Sequence, residues 1–291
     1  MHRFIAAERA NHSVSTLCRV LGISRGGFYA AERRAPSKRQ LDDERILVAI
    51  REIYKDSRET YGAPRVHAML ARRGVHPARK RVARLMRSEG LTGLVKRRRG
   101  RTTVRVPGLA TSPDLVRREW NPTERNRLWV ADITYCRTWE GWLYLAAVLD
   151  CHSRRVVGWS IRQGLEAELV TEAIEMAVAR RRPAEGLVHH SDRGSQYVSL
   201  AFGERCREAG IDLSMTEGGS PLDNAVAESF FATLKRELVN RCSWATRADL
   251  RVAVFEWIEV FYNRQRIHTT LGGYAPEEFE NLSLTQAREA A

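Results

Sequence analysis

The period of the hydrophobic pattern changes at Trp120, and that change constrains the fold more than any other feature of the 291 residues. Before it, apolar residues recur every three to four positions, the spacing of amphipathic helices. After it come short runs rich in β-branched and aromatic residues, "LWVADITYCR", "WLYLAAVLD" and "RRVVGWSIR", parted by "TWEG" and "CHS". Such a chain is helical in its first part and sheet-based in its second. At 43% hydrophobic it buries a real core, and its length suits about two domains.

In the second part a helix follows in "EAELVTEAIEMAVARR", with Leu169, Ala173, Met176 and Ala177 on one face. Then come a short strand "GLVHHSD", a helix in "SLAFGERCREAG", a strand in "IDLSMT", a glycine-rich loop "EGGSPLD" and a long helix from about Asn224 to Val239. Three strands followed by helix and strand in alternation is an α/β pattern. It is the order of a ribonuclease-H-like domain.

In the first part, "VSTLCRVLGISRGGFYAAERR" keeps helical spacing to Leu21, breaks at Gly22-Ile23-Ser24 and resumes to about Arg34. Cys18, Gly22 and Phe28 take the small, glycine and apolar positions of a helix-turn-helix, whose second helix enters the major groove. "APSKRQ" reads as a connector, and "LDDERILVAIREIY" as a helix from Leu41. "YGAPRVHAMLARRGVHPARKRVARLMRSEGL" repeats helix, turn, helix, with Pro64 and Pro77 at helix starts. Val66, Met69 and Leu70 line one face, as do Val82, Leu85 and Met86, which leaves the arginines outward.

The charge is uneven. Residues 1–110 hold 26 Lys+Arg against 9 Asp+Glu, a net +17, while the rest of the chain holds 22 against 26. That asymmetry favours a polyanion through counterion release. Arginine outnumbers lysine there by 22 to 4, and its planar fork suits phosphate and guanine. "VKRRRGRTTVRVPGLATSPD" is too basic and too poor in apolar residues for core and reads as a linker tracking phosphate. The expected units are therefore a helix-turn-helix at 1–40, a second helical DNA-binding segment at 41–95, a basic linker at 96–121, a catalytic core at 122–243 and a C-terminal helical segment at 244–291. Candidate DNA contacts are Arg25, Arg79, Lys80, Arg81, Arg97, Arg98, Arg99, Arg264 and Arg266; the bland alternative is a solvated charged face, or for Arg264 and Arg266 packing of the C-terminal helix.

Other classes lose ground. The N-terminus carries charges where a signal peptide needs an apolar core, and the longest apolar run, "LYLAAVL", is far short of the roughly 18 residues of a membrane span. The expectation is a soluble cytoplasmic protein, associated with the bacterial nucleoid if DNA is its partner. Cys18, Cys136, Cys151, Cys206 and Cys242 are odd in number, with no C-x-x-C pair. They predict reduced, packed thiols rather than a disulfide framework or a zinc knuckle.

Chemistry is carried by acids at strand ends and helix starts. Asp132 lies inside an apolar strand, Asp192 ends another in "HHSDRGSQY", and Glu228 lies one turn into the helix after the glycine-rich loop, with 35 residues between the last two. An ionised carboxylate in an apolar strand is costly unless paired or ligated. Three acids on separate elements suit hard divalent cations with oxygen ligands, and a pair of such ions can drive an in-line displacement at phosphorus.

"WVADITY", "HHSDRGSQY", "DNAVAESFFATLKRE" and "YNRQRIHTTLGGYAPEEFE" resemble the blocks of the DDE transposases of bacterial insertion sequences, specifically the OrfB product of the insertion-sequence-three family, related to retroviral integrases. The resemblance covers most of the chain. It implies an integrase-type ribonuclease-H-like catalytic domain behind all-α helix-turn-helix segments, with Asp132, Asp192 and Glu228 binding two Mg²⁺ or Mn²⁺ ions. It further implies Lys235, seven residues after the glutamate and on its face of the helix, as a contact to the DNA end. The implied partners are double-stranded DNA at the element's terminal repeats and in the target, further copies of the chain on DNA, and an upstream-frame (OrfA) protein. The implied activity is cleavage at the element's ends and transfer of the 3′-OH strand into target DNA. Ala131 stands where a small hydroxyl residue is common, and "LGGYAP" departs slightly from the usual tail; neither touches the triad.

Rival readings are a catalytically silent DNA-binding regulator of transposition and a ribonuclease-H-like nuclease that only hydrolyses. His189 and His190 invite a zinc site but lack a spaced partner set, so they are expected to shape the active-site rim. Asp150 ends a strand and suits either a supporting role or a turn. Asp223 and Asn224 are expected to cap the glutamate helix, with Ser220-Pro221 as the competing start.

Overall fold

The β-branched and aromatic runs in the second part of the chain become a sheet that carries an apolar cluster on each face. The computed structural model describes residues 1–94, 112–117, 119–216 and 224–289. β1 (Leu128–Thr138), β2 (Gly141–Asp150) and β3 (Val156–Arg162) form an antiparallel meander. β4 (Leu187–Ser191) and β5 (Ile211–Met215) add in parallel beside β1, giving the order β3-β2-β1-β4-β5. α7 (Ala167–Arg181) and α8 (Leu200–Glu208) are the crossovers that parallel pairing demands. This is the mixed sheet expected of a ribonuclease-H-like domain.

Two apolar clusters lie on opposite faces of that sheet. Trp129, Ala131, Val148 and Val157 face Leu169, Ala173, Ile174 and Ala177 of α7, with Phe202 and Cys206 of α8. Met176, expected on that stripe, packs instead against the other cluster, where Val130, Leu145 and Leu149 meet α9 (Ala225–Leu234) and α10 (Arg247–Phe255). Gly158 of β3 lets α7 approach so closely that a Cβ there would stand 2.1 Å from the Ala173 carbonyl oxygen.

Up to residue 94 the first part is built of helices: α1 (His2–Glu8), α2 (Val14–Val20), α3 (Arg25–Arg33), α4 (Lys38–Asp56), α5 (Ala63–Arg72) and α6 (Arg79–Ser88). α2 and α3 close over Ile5, Leu17, Cys18 and Phe28, and Gly22 takes φ +66° in the turn between them, a conformation glycine reaches without strain. α4 starts earlier than apolar spacing suggests. Ser37 and Gln40 form a capping box that draws half of the expected connector into the helix. Pro64 does open α5, whereas Pro77 precedes α6 by two residues and Ala78 takes its N-cap position.

The C-terminal segment joins the two parts. α10 runs on into a π-helical turn, Glu256–Tyr262, that buries Trp257, Ile258, Phe261 and Tyr262 in the sheet's cluster. A few residues later Ile267 enters the helical cluster of Ile50, Ile53, Tyr61, Val66 and Leu70. α11 (Pro276–Glu289) then sets Glu280 against Arg155, Arg181 and Ser153. Four of the cysteines are packed as expected; Cys242 is exposed. No helix among the described residues is long and apolar enough to cross a membrane.

Candidate active site

β4 pairs with β1 only as far as Val130↔His190, so from Ala131 onward that edge of β1 is released from β4. Asp132 is the second residue of the released stretch. Its Oδ1 accepts a 2.7 Å bond from the Ile133 N–H. The carboxyl is pushed up to about 7, first by burial and then by the charge of Asp192, with Glu228 adding to the rise and the Ile133 N–H and Lys235 opposing it. Asp192 follows β4 directly and accepts 3.0 Å from the Gly194 N–H. Protein packed around it raises its carboxyl too, despite that bond. Glu228 lies exposed in the first turn of α9. Asp192 and Glu228, from two other elements, are thus both brought within electrostatic reach of Asp132.

What binds α9 to that edge is a residue whose role the sequence misassigned. Asn224 makes no side-chain cap; its Nδ2 donates 2.9 Å to the Ala131 carbonyl. The start of the glutamate's helix is therefore bonded to the residue before Asp132. Asp223, Ser220 and Pro221 lie outside the described residues. Lys235 opens a π-helical turn, Lys235–Val239, at the end of α9 and sets its Nζ 4.6 Å from the Tyr135 ring centroid, a cation–π distance. Sequence reasoning also passed over Tyr197, quoted in "HHSDRGSQY" but given no role. Its hydroxyl is buried without a hydrogen-bond partner, and burial, then Asp132 and Asp192, hold it well above the ordinary phenol range. The signal was there: an aromatic hydroxyl five residues after a candidate ligand.

The histidines do not form a rim. His189 and His190 are 0% and 1% exposed, on opposite faces of β4. His189 packs on Tyr197 and Phe202, and burial, then His190, drive it down to about 3. His190 bonds Ser214 Oγ at 2.8 Å and meets Trp120 edge-on. Asp150 is a turn residue: fully buried, it accepts from the backbone N–H groups of Asn126, His152 and Ser153 and from the Ser153 hydroxyl.

Among the described residues, no group of three or more His, Cys, Asp and Glu side chains is gathered closely enough to hold a metal as it stands. The donor chemistry nevertheless fits a hard divalent cation. Burial first, and then repulsion from the neighbouring carboxylates, pushes the Asp132 carboxyl up to about 7, and a cation held by these oxygens relieves both.

The basic candidates divide by exposure. Arg25, at the start of α3, and Arg79 and Lys80, at the start of α6, are exposed. Arg81 is bound to Asp42 and Asp43 of α4 at 2.8 and 2.6 Å. Arg264 is exposed beside Glu277, and Arg266, 3% exposed, bonds Glu237 through two 2.8 Å contacts. Arg97, Arg98 and Arg99 lie outside the described residues.

Comparison with known proteins adds three family matches: an Integrase core domain over residues 122–221, a second Integrase core domain over 209–276 and an HTH-like domain over 40–99. Among curated relatives, the chain is 39% identical over 263 residues to the insertion element IS600 uncharacterized 31 kDa protein of Shigella sonnei, covering 90% of this chain and 97% of that one. It is 37% identical over 277 residues to the transposase for insertion sequence element IS629 of Shigella sonnei, covering 94% and 93%. To the transposase InsF for insertion sequence IS3A of Escherichia coli K12 it is 37% identical over 283 residues, covering 97% and 98%.

Proposed function

The chain belongs to the insertion-element transposases built on an integrase core, and from that premise we propose that it cuts and joins DNA at Asp132, Asp192 and Glu228, as a metal-dependent polynucleotidyl transferase. The observation that carries this reading is the convergence of three carboxylates on the released edge of β1, with Lys235 beside them.

Asp132, Asp192 and Glu228 would hold two Mg²⁺ or Mn²⁺ ions. When bound, such ions supply Lewis acidity toward a phosphoryl oxygen and make a water or hydroxyl a better nucleophile. The chain's own residues do the positioning. The Ile133 and Gly194 N–H groups fix one oxygen each of Asp132 and Asp192. Asn224 holds α9 against β1, so that Glu228 keeps its place relative to Asp132. Lys235 brings positive charge to the site, where a phosphodiester must settle. In the first step a water oxygen bonds to phosphorus at the element's end and the P–O3′ bond breaks, freeing a 3′-hydroxyl. That hydroxyl then attacks a phosphorus of the target strand and expels the target's 3′-oxygen, with no covalent bond to protein.

The HTH-like match supports DNA binding by the helical part. We assign residues 1–40 and 41–95 to recognition of the terminal repeats, 96–121 to a basic linker, 122–243 to the catalytic core and 244–291 to a C-terminal segment. Their exposure supports Arg25, Arg79 and Lys80 as the residues of the helical part that meet phosphate or bases. Pairing of two ends makes a homo-oligomer on bacterial DNA the working form, with an upstream-frame protein as the further partner.

The test is strand transfer from a pre-cleaved element end in Mg²⁺ or Mn²⁺. Wild type is expected to give joined product, and Asp132→Asn, Asp192→Asn and Glu228→Gln none, each still binding DNA. A variant that joins ends removes its residue from the site.

A further inference from the structure

A cavity of about 460 Å³ lies off the carboxylate cluster, lined by Arg65 of α5, by Arg154, Arg236 and Arg266 and by no acidic side chain among the described residues. One of its walls is the face of α9 that carries Val226, Ser229 and Thr233, turned well away from Glu228 at about 100° per residue. The cavity thus lies between the helical part and the helix of the catalytic glutamate.

Its charges do not balance. Among the described residues Glu237, just behind the wall, is the one carboxylate that pairs with this set. It takes two bonds from Arg266, stands 3.8 Å from Arg65 and 4.0 Å from Arg236. Among the described residues, the Arg154 guanidinium bonds only the neutral Asn121 side chain. Four guanidiniums against one carboxylate leave a net excess of three positive charges among these residues. The Arg236 Nε is buried and has no hydrogen-bond partner among the described residues, which is costly for a charged donor. His268 adds no charge: burial, then Arg266, Arg65 and Arg154, drive it well below its ordinary range.

We propose that this cavity is a phosphate-binding site that takes a phosphodiester of the DNA backbone behind the helix carrying Glu228. Guanidinium forks suit phosphate oxygens, and the volume falls in the range of small-ligand sites. Choosing DNA over a free anion rests on the transposase reading above and on the position of Arg65 in the basic helical part; anion binding itself does not. Occupancy would relieve the repulsion among arginines drawn from α5 and from the turn after α9, and so steady the helix of Glu228 when DNA is in place.

The full chain is tested with two probes, in metal-free buffer. In the first, inorganic phosphate replaces chloride at constant ionic strength. It is expected to raise the Tm of wild type by a few degrees but not that of Arg236→Gln or Arg65→Gln, both of which leave the Arg266–Glu237 pair whole. In the second, a duplex of the element's end is bound across a salt series, and Arg236→Gln is expected to flatten the slope of log K against log salt by about 1. Arg236→Lys, which keeps the charge without the fork, should retain part of the phosphate effect and serves if the Gln variants do not fold. Phosphate stabilisation with an unchanged slope would overturn the DNA assignment in favour of a free anion. No phosphate effect and no change in slope would overturn the site. Neither readout depends on catalysis, so loss of the strand-transfer reading would leave both intact.

Discussion

Asp132 and His189 show what single buried ionisable groups do to this protein in opposite directions. The folded Asp132 carboxyl stands near 7 against an ordinary 3.8. Between those values the folded chain keeps a proton that the unfolded chain gives up, so this residue's contribution to stability falls as pH rises from about 4 to about 7. Asp132→Asn removes the buried charge and keeps an oxygen for the Ile133 N–H. Without metal it should be more stable than wild type by about 1–3 kcal/mol near pH 8, with a smaller gap near pH 5, while its strand transfer is lost. Urea unfolding at both pH values reads the gap, and an equal gap at the two would mean that the carboxylate is not the cause. His189 behaves the other way. It is held near 3 against an ordinary 6.5, so stability is lost as pH falls through that window, where the unfolded imidazole takes a proton and the folded one does not. Both ring nitrogens are buried without partners, so His189→Leu should flatten the acid limb of the stability curve and leave a zinc chelator without effect. An acid limb unchanged by the substitution would assign it elsewhere.

At the scale of elements, the close packing of α7 on β3 depends on a missing side chain. A Cβ on Gly158 would meet the Ala173 carbonyl oxygen at 2.1 Å and the Ala177 nitrogen at 2.7 Å, both backbone atoms of a helix that cannot give way locally. Gly158→Ala is therefore expected to cost about 1–3 kcal/mol through overpacking, seen as a lowered Tm. A Tm within a degree of wild type would show that the helix moves freely. The strands and crossover helices around this contact were legible because period 2 and period 3.6 follow from which faces need cover. What that logic cannot read is polarity inside a strand covered on both faces. β4 buries every side chain but one on one face or the other, so "LVHHS" gave no sign that its histidines were core. Nor does spacing reveal partners distant in sequence. Arg81 looked outward, but its acids stand 38 and 39 residues earlier on α4. Asp132, Asp192 and Glu228 stood out as candidates because they lie inside a strand, at a strand's end and in a helix's first turn. Asn224 was misassigned because an Asn before a helix reads as a cap, and only the third dimension offers it the Ala131 carbonyl instead.

Across the whole molecule, the helical part and the sheet are held together through the C-terminal segment by contacts of two kinds. Ion pairs such as Arg58–Glu256 and Arg72–Glu278 lie at the surface, where pairs are worth about 0–1 kcal/mol and are screened by salt. Beneath them the Ile267 N–H donates 2.8 Å to the Tyr61 hydroxyl, with both residues at most 3% exposed. Burial makes that second contact the dominant one, because removing its acceptor strands a backbone donor away from water at about 1–3 kcal/mol. Tyr61→Phe keeps the ring in its cluster and should lower stability by that amount, speed amide exchange at Ile267 and loosen the helical part from the sheet. Glu256→Gln, which leaves the Arg58 guanidinium on the Phe261 ring, should cost less than about 1 kcal/mol. Unfolding of the two variants in low and high salt decides the matter. If Glu256→Gln costs more, and its cost vanishes in salt, the two parts are joined by surface charge. If Tyr61→Phe costs more at both salt levels, the junction is a buried one, and the helical part is held to the sheet by contacts that salt does not loosen.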